Sequence, residues 1–327
     1  MKQRDISIDI LKFIACLAIT NSHFDEIYGP LASLATGGAI GDALFFFASG
    51  FTIFLGGARS FDNYYKRRIG RIYPTVFAWA LMTELIFNSS KTFIEVLIHG
   101  GSWFVTCIMV YYVFFYFIRK FLYQHLNELL ICFIIFCMGL YFLWDKPERW
   151  NIYGATYYKW VYYFIYMLQG AIVGFMMKNK SISPTKPQRE MPLLFLFIIV
   201  FYFFCSFKKS VSLNYLQIFS FIPLLGITYY VYKLCKTNYV LSLMNHTFVG
   251  SIIKFIGGMC LEIYICQIFL LNYEPLMNMV KKACPVGFLL MIIVIILVAY
   301  CLKCLSNIWM QTFKDGDYSW NAVFKIP

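Results

Sequence analysis

The segment "LKFIACLAITNSHF", residues 11–24, has the composition of a membrane-spanning helix, yet it carries Lys12 near its start and His23 near its end. The chain around it has 327 residues, of which 61% are hydrophobic and only 13% are charged. These proportions lie outside the range of soluble domains. Because about 20 consecutive apolar residues span the hydrocarbon core of a bilayer, the sequence predicts an all-α, polytopic membrane protein.

Apolar runs of this length recur along the whole chain and predict about ten transmembrane helices. No polar stretch between them is long enough to form a soluble domain, so we expect a single membrane domain over residues 1–327. The predicted helices cover residues 6–24, 38–57, 74–90, 103–118, 127–144, 158–177, 191–207, 213–234, 252–271 and 285–304.

Lysine and arginine predict the orientation, because cytoplasmic loops of membrane proteins carry an excess of these residues. Most of them lie in loops that are cytoplasmic if the N-terminus is cytoplasmic, so we expect both chain termini on that side. The formal net charge of +12 then lies on the face where anionic membrane lipids are found. Nucleic acid is disfavoured as a partner, because no loop combines a basic patch with aromatic residues outside the lipid.

The cysteines do not indicate a disulfide framework or a metal site. Nearly all of the 11 cysteines fall within predicted spans, where a disulfide framework is not expected. Cys301 and Cys304 form a C-x-x-C sequence, but it lies on an apolar helix without a nearby histidine pair. We interpret these two residues as packing residues and expect no metal.

Polar residues in the first span share one face. Ionisable groups inside a bilayer are unfavourable and usually face a cavity or a partner. Lys12 and His23 lie about 16 Å apart along the helix, which predicts a polar groove through the membrane. Alternatively, Asp9 and Lys12 neutralise each other and His23 is simply solvated at the interface. The stripe consists of Asp5, Asp9, Lys12, Cys16, Thr20 and His23.

A second cluster, "YYKRRIGRIYP" at residues 64–74, follows the second predicted span. Arg68 and Arg71 are spaced to share one face of a helical turn, and Pro74 suits the first turn of the third span. Guanidinium groups match phosphate oxygens well, so a phosphate-bearing cytoplasmic ligand would fit. The alternative is that these arginines only set the topology and contact lipid phosphates.

Five segments of the chain, two of which include the residues described above, resemble the acyltransferase 3 family of integral-membrane acyltransferases. In that family a basic residue precedes a histidine by eleven positions, as Lys12 precedes His23, although arginine is more usual than lysine. The last segment departs from the family pattern at Cys260 and Gln267, to which we assign no catalytic role. In chain order the similar segments are "IDILKFIACLAITNSH" (8–23), "GDALFFFASGF" (41–51), "RRIGRIYP" (67–74), "SWFVTCIMVYY" (102–112) and "CLEIYICQ" (260–267).

The resemblance implies an O-acyltransferase that takes an acyl group, commonly acetyl, from cytoplasmic acyl-CoA and esterifies a hydroxyl group. The acceptor would be a surface or secreted glycan, or a lipid-linked saccharide, on the opposite side of a bacterial inner membrane. Arg68 and Arg71, together with Lys12, would bind acetyl-CoA. His23 would act as general base, since a histidine has an unperturbed pKa of about 6.5; an acetyl-histidine intermediate is the alternative route.

Four further residues complete the predicted site. Asp42 would orient the imidazole of His23, or would merely cap the second helix. Asp9 would shape the groove, and Glu262 is the intramembrane acid expected to face the cavity. Trp103 would stack on a sugar, or would belong to the interfacial aromatic belt.

Two other classes of protein compete with the enzyme. A transporter or flippase for a glycan or lipid-linked substrate would also place charges along a membrane groove, but we find no inverted repeat with paired broken helices. A structural or sensory membrane protein would leave Lys12 and His23 replaceable. Neither alternative requires a histidine aligned with an Arg-x-x-Arg sequence on the cytoplasmic side.

Overall fold

The computed structural model describes residues 5–57, 60–85, 93–99, 103–143, 151–154, 157–179, 182, 185–210, 212–282, 286–313 and 316–325. Every regular element within these residues is a helix, which confirms the all-α class. The side of the membrane on which the chain termini lie stays a prediction.

The described residues form seventeen α-helices. The first nine are α1 (Ile6–Ser22), α2 (Asp25–Tyr28), α3 (Gly38–Leu55), α4 (Phe61–Leu85), α5 (Phe93–His99), α6 (Trp103–Phe121), α7 (Leu126–Leu143), α8 (Lys159–Tyr162) and α9 (Phe164–Lys178). The others are α10 (Pro187–Ser206), α11 (Phe221–Cys235), α12 (Asn238–Leu243), α13 (Thr247–Gly258), α14 (Cys260–Leu271), α15 (Glu274–Lys282), α16 (Gly287–Thr312) and α17 (Trp320–Val323). Short 3-10 helices cover Gly29–Leu34, Phe207–Lys209 and Asn214–Ser220.

The helices are those of a multi-pass membrane protein. In the described part of the chain, seven helices are long and apolar enough to cross a bilayer, and two bent helix pairs raise the number to nine. Ten spans were predicted. The remaining predicted span, 74–90, overlaps α4, whose N-terminal half carries many charges. The seven are Gly38–Leu55, Trp103–Phe121, Leu126–Leu143, Lys159–Lys178, Pro187–Lys209, Asn214–Cys235 and Gly287–Thr312.

Helix α4 begins well before the predicted start of the third span. It starts at Phe61, so Pro74 lies inside the helix and not in its first turn. The prediction for Pro74 was wrong because the charged segment around it reads as a loop, whereas it continues the helix. Arg68 and Arg71 are nevertheless on a helix, as their spacing indicated.

Two pairs of consecutive helices are bent. The axis turns by 62° between α1 and the segment Asp25–Leu34, and by 69° between Phe248–Gly258 and α14. Asp25 and Glu26 occupy the first turn of α2, where acidic side chains interact favourably with the helix dipole. Gly257 and Gly258 precede the second bend, and glycine weakens a helix. His23 therefore lies at the first bend.

By internal contacts the described residues form two compact units, each built from three chain segments. The first unit takes residues from 1–15, 39–58 and 117–250, and the second from 16–38, 59–116 and 251–327. Helix α1 contributes its N-terminal part to the first unit and its C-terminal part to the second. The expectation of one domain over residues 1–327 stays a prediction.

Glycines allow α3 and α9 to pack closely in the first unit. A side-chain carbon at Gly50 would collide with the carbonyl oxygen of Met167, and one at Gly170 with the carbonyl oxygen of Phe47. Gly170 and Gly174 form a G-x-x-x-G sequence, and the missing side chains let the helix backbones touch. Small residues have this role where helices pack inside a membrane.

The C-terminal end of α3 is fixed by Arg119, near the end of α6. Its guanidinium group donates a hydrogen bond to the carbonyl oxygen of Ile53 at 3.0 Å and another to that of Gly56. The last carbonyl groups of a helix have no partners within the helix. Arg119 therefore satisfies the end of α3 in addition to supplying positive charge to the loop.

The second unit contains α4, α14 and α16 packed together. Aromatic side chains form much of this packing. The rings of Phe77 and Trp309 stack with centroids 3.9 Å apart, and Trp79 meets Phe269 edge-on at 5.5 Å. This three-helix packing places Thr75, which follows the basic segment of α4, beside Glu262 on α14.

Candidate active site

His23 lies on a turn directly after α1, with its side chain exposed. The neighbouring Asn21 holds this turn in place, because its amide donates hydrogen bonds to the carbonyl oxygens of Leu34 at 2.8 Å and Thr36 at 3.0 Å. The hydroxyl of Tyr28 donates to the Asn21 carbonyl oxygen at 2.7 Å. The histidine is thus presented on a connection that is tied back to α1.

The polar stripe on α1 continues into α14. Thr20 donates a hydrogen bond to the side-chain oxygen of Gln267 at 2.8 Å. Gln267 is 1% exposed, and its Nε2 atom has no hydrogen-bond partner within the described residues. Gln267 departs from the family pattern and was therefore assigned no catalytic role from the sequence. A glutamine inside an otherwise apolar helix was the signal that could have pointed to it.

The predicted residues are divided between the two units. The second unit contains His23, Arg68, Arg71, Trp103 and Glu262. The first unit contains Asp9, Lys12 and Asp42.

Asp9, Lys12 and Asp42 are all half-buried. Asp42 is well inside α3, which begins at Gly38, so the alternative that it caps this helix is wrong. Its Oδ1 atom is buried without a hydrogen-bond partner in the described part of the chain, and Lys159 is close enough to interact with it electrostatically. The pairing of Asp42 with His23 stays a prediction.

Arg68 is held between two aromatic rings. Its guanidinium carbon lies 5.2 Å from the ring centroid of Tyr64 and 5.0 Å from that of Tyr112. These distances are within the range of cation–π attraction. Among the described residues Arg68 has no ion pair, and its buried Nε has no hydrogen-bond partner. Its charge is therefore fixed in position without being neutralised by a carboxylate.

The surface around Arg68 is positive. Lys66, Arg67 and Arg71 are exposed on α4. Asp62 is on the first turn of the same helix, and the hydroxyl of Ser60 lowers the pKa of its carboxyl group by hydrogen bonding. The carboxylate thus lies at the positive end of the helix dipole, while the basic side chains follow one or more turns later.

Glu262 is at the centre of a buried polar network. It is 1% exposed, and its Oε1 accepts hydrogen bonds from the Thr75 hydroxyl and from the Lys303 ammonium group, each at 3.0 Å. The hydroxyls of Thr75 and Ser306 are 3.2 Å apart. Thr75 follows Arg71 by about one helical turn. The network therefore connects the arginine-bearing helix to α14 and α16, and Lys303 is a member that sequence analysis missed.

Trp103 is the first residue of α6, as its predicted position at the start of the fourth span required. It is half-buried, and its ring meets that of Phe104 edge-on, with centroids 6.1 Å apart. Phe104 in turn packs on Tyr264 of α14 at 5.0 Å. The role of Trp103, in stacking on a sugar or in the interfacial aromatic belt, stays a prediction.

Helices of membrane-spanning length define a multi-pass integral-membrane protein. In it a histidine lies on a fixed turn, and Arg68 has no ion pair among the described residues. The chain belongs to the acyltransferase 3 family, whose model, described as an acyltransferase domain, matches residues 5–304. It is therefore a multi-pass membrane acyltransferase. Neither a search of curated proteins nor one of solved structures gave a match.

Proposed function

We propose that this acyltransferase moves an acyl group, acetyl in the simplest case, from cytoplasmic acyl-CoA to a hydroxyl of a surface or secreted glycan. A lipid-linked saccharide could serve as the acceptor in place of the finished glycan. We propose the inner membrane of a bacterium as the location of the enzyme. The observation that carries the proposal is His23, exposed on a turn that Asn21 ties to residues 34–36. A catalytic base needs both access to its substrate and a fixed position.

The donor would be bound by α4. Arg68, held by two tyrosine rings, is pre-ordered for a phosphate group, and Arg71 adds an exposed guanidinium one turn away. Arginine suits this task because its planar fork can donate two hydrogen bonds to a phosphate. Lys12, eleven residues before His23, would contact the donor further along α1.

In the chemical step His23 removes the proton of the acceptor hydroxyl. The hydroxyl oxygen attacks the thioester carbonyl carbon, a carbon–oxygen bond forms, and the carbon–sulfur bond breaks. The proton taken up by the imidazole passes to the leaving thiolate, so coenzyme A departs as the free thiol. Asp42 would orient the imidazole, and Asp9 and Glu262 would shape the groove. In the alternative route the acyl group is first transferred to His23 itself.

The acceptor would approach the same histidine from the other side of the membrane. Trp103, half-buried at the start of α6, offers an aromatic face on which a sugar ring could stack. A glycan hydroxyl is uncharged and needs a base for attack, which agrees with the role given to His23.

The test is acyl transfer by purified protein with radiolabelled acetyl-CoA and a pool of glycans. We expect His23→Ala to lower label transfer at least about 100-fold, since a general base contributes about 10²–10⁴ in rate. His246→Ala is the matched control, because His246 is also an exposed histidine on a turn, and it should transfer label at the wild-type rate. Equal transfer by both variants would remove His23 from the mechanism.

A further inference from the structure

A half-open cavity of about 230 Å³ lies in the second unit beside the turn that carries His23. Thr20, Asn21 and Phe24, which flank His23 in sequence, form one part of its wall. Ile263 of α14 and Ile296 of α16 are among the residues that form the rest. The cavity thus adjoins the turn that carries His23, although the side chain of His23 is not part of its wall.

The interior of the cavity suits hydrocarbon. Isoleucines supply much of its lining, and its polar residues already use their hydrogen bonds within the protein. Thr20 donates to Gln267, Asn21 donates to two backbone carbonyls, and Tyr28 donates to Asn21. An occupant therefore gains apolar contact but little hydrogen bonding.

Aromatic side chains limit the cavity on the side beyond the end of α1. The ring of Tyr28 lies between those of Phe24 at 6.0 Å and Phe288 at 6.2 Å, measured between centroids, and all three residues line the cavity. Phe24 is 2% exposed. A chain that enters beside His23 can extend only a limited distance in this direction.

The volume exceeds what an acetyl group needs. A cavity of about 150 Å³ in a protein interior binds benzene, which has six carbons. An acetyl group places only one methyl group beyond its carbonyl. We propose that this cavity binds the hydrocarbon chain of the acyl donor, so that the enzyme favours acyl groups of about four to eight carbons. This inference rests on the proposed function, and it specifies the chain length of the acyl-CoA donor.

The donor is favoured over a membrane lipid as the occupant because of position. The thioester carbonyl must lie beside His23 for transfer, and the hydrocarbon chain extends directly from that carbonyl. Residues that precede and follow His23 in the sequence form part of the cavity wall. A bound acyl group would therefore have its carbonyl end near the histidine turn and its chain among the isoleucines. A lipid tail has no comparable reason to end there.

The experiment measures kcat/KM for straight-chain acyl-CoA donors from acetyl to dodecanoyl. Wild-type protein should prefer hexanoyl over acetyl at least tenfold, because burying each methylene group is equivalent to about a fourfold gain. Ile296→Phe fills the cavity and should lower the ratio of hexanoyl to acetyl at least tenfold. Ile293→Phe is the matched control, because Ile293 is on the same helix but 54% exposed, and it should leave the ratio unchanged.

A second variant and a binding measurement complete the test. Ile292 also lines the cavity, so Ile292→Phe should reproduce the shift if Ile296→Phe fails to fold. In His23→Ala, which removes turnover, the Kd of acyl-CoA should fall with chain length up to about eight carbons. If acetyl is transferred but the Kd does not change with chain length, the cavity assignment is wrong and the enzyme assignment stands. The same holds if Ile296→Phe loses co-purified lipid without a change in the ratio of hexanoyl to acetyl kcat/KM. No transfer from any donor would overturn the proposed function itself.

Discussion

Each unit of the molecule contains a lysine–glutamate pair whose glutamate is buried, and the two pairs differ in what surrounds them. In the first unit Lys233 of α11 pairs with Glu190 of α10, and both side chains are 6% exposed. In the second unit Lys303 pairs with Glu262, with exposures of 25% and 2%. The first pair is closed to solvent, whereas the second keeps its lysine partly accessible.

The neighbours of the pairs differ as well. Lys233 lies 5.8 Å from the ring centroid of Tyr229, and the pair joins two helices that are consecutive in the chain. Glu262 also accepts a hydrogen bond from Thr75, on the helix that carries Arg68. Buried charge alone therefore does not mark a functional residue. A buried charge that is hydrogen-bonded to the helix carrying Arg68 is the stronger indication.

The largest expected effect comes from breaking the closed pair. Lys233→Met leaves the Glu190 carboxylate buried without its cation, and such losses destabilise proteins by about 3–5 kcal/mol. Thermal unfolding of the protein in detergent should show the decrease. Lys281→Met is the control, because Lys281 pairs with Glu26 where both side chains are exposed, at 45% and 66%. That variant should unfold at the wild-type temperature.

A smaller effect, on activity, is expected for the second pair. Glu262→Gln keeps a partner for Thr75 but removes the charge that holds Lys303. Hydrogen bonds to charged groups are worth about 1.5–3 kcal/mol, so kcat/KM for acyl transfer should fall about 10- to 100-fold in protein that remains folded. If activity per folded molecule is unchanged and only the unfolding temperature falls, the two pairs have the same structural role and the distinction between them is wrong.

The smallest effect concerns Arg68, which lies on the helix that Thr75 links to the second pair. Arg68→Lys keeps the positive charge but loses the planar fork that suits both the tyrosine rings and a phosphate. Calorimetric titration should show acyl-CoA binding weakened about tenfold, the equivalent of about 1.4 kcal/mol. Arg67→Lys, a change in the exposed neighbour, should leave the affinity unaltered. Equal affinities for wild type and both variants would assign Arg68 to topology or to lipid contact.

Much of the fold could be predicted because apolar length is a local property of the sequence. A helix overlaps each of the ten predicted spans, and α6 begins at Trp103 as expected. The start of α4 at Phe61 was missed, since a helix that leaves the lipid carries charges that resemble a loop. The bend before α14 was missed too, because a long apolar run does not show where a helix is interrupted.

Only those features of the site that lie along a single helix could be predicted from the sequence. Helical spacing placed Thr20 on the polar stripe of α1 and Arg68 with Arg71 on one helix. The contact between Thr20 and Gln267 and the pairing of Glu262 with Lys303 join residues that are far apart in the chain. Such contacts depend on how the helices pack. They cannot be predicted from the periodicity of residues within one segment.

His23 is proposed to catalyse the transfer of an acyl group from a donor on one side of the membrane to an acceptor on the other. The direct measurement uses sealed proteoliposomes with a glycan acceptor inside and radiolabelled acyl-CoA outside, so that only transfer across the bilayer labels the acceptor. Wild type and His246→Ala should label the enclosed acceptor, and His23→Ala should not. Labelling by His23→Ala at the wild-type rate, or labelling by wild type only when donor and acceptor share one side, would contradict the account.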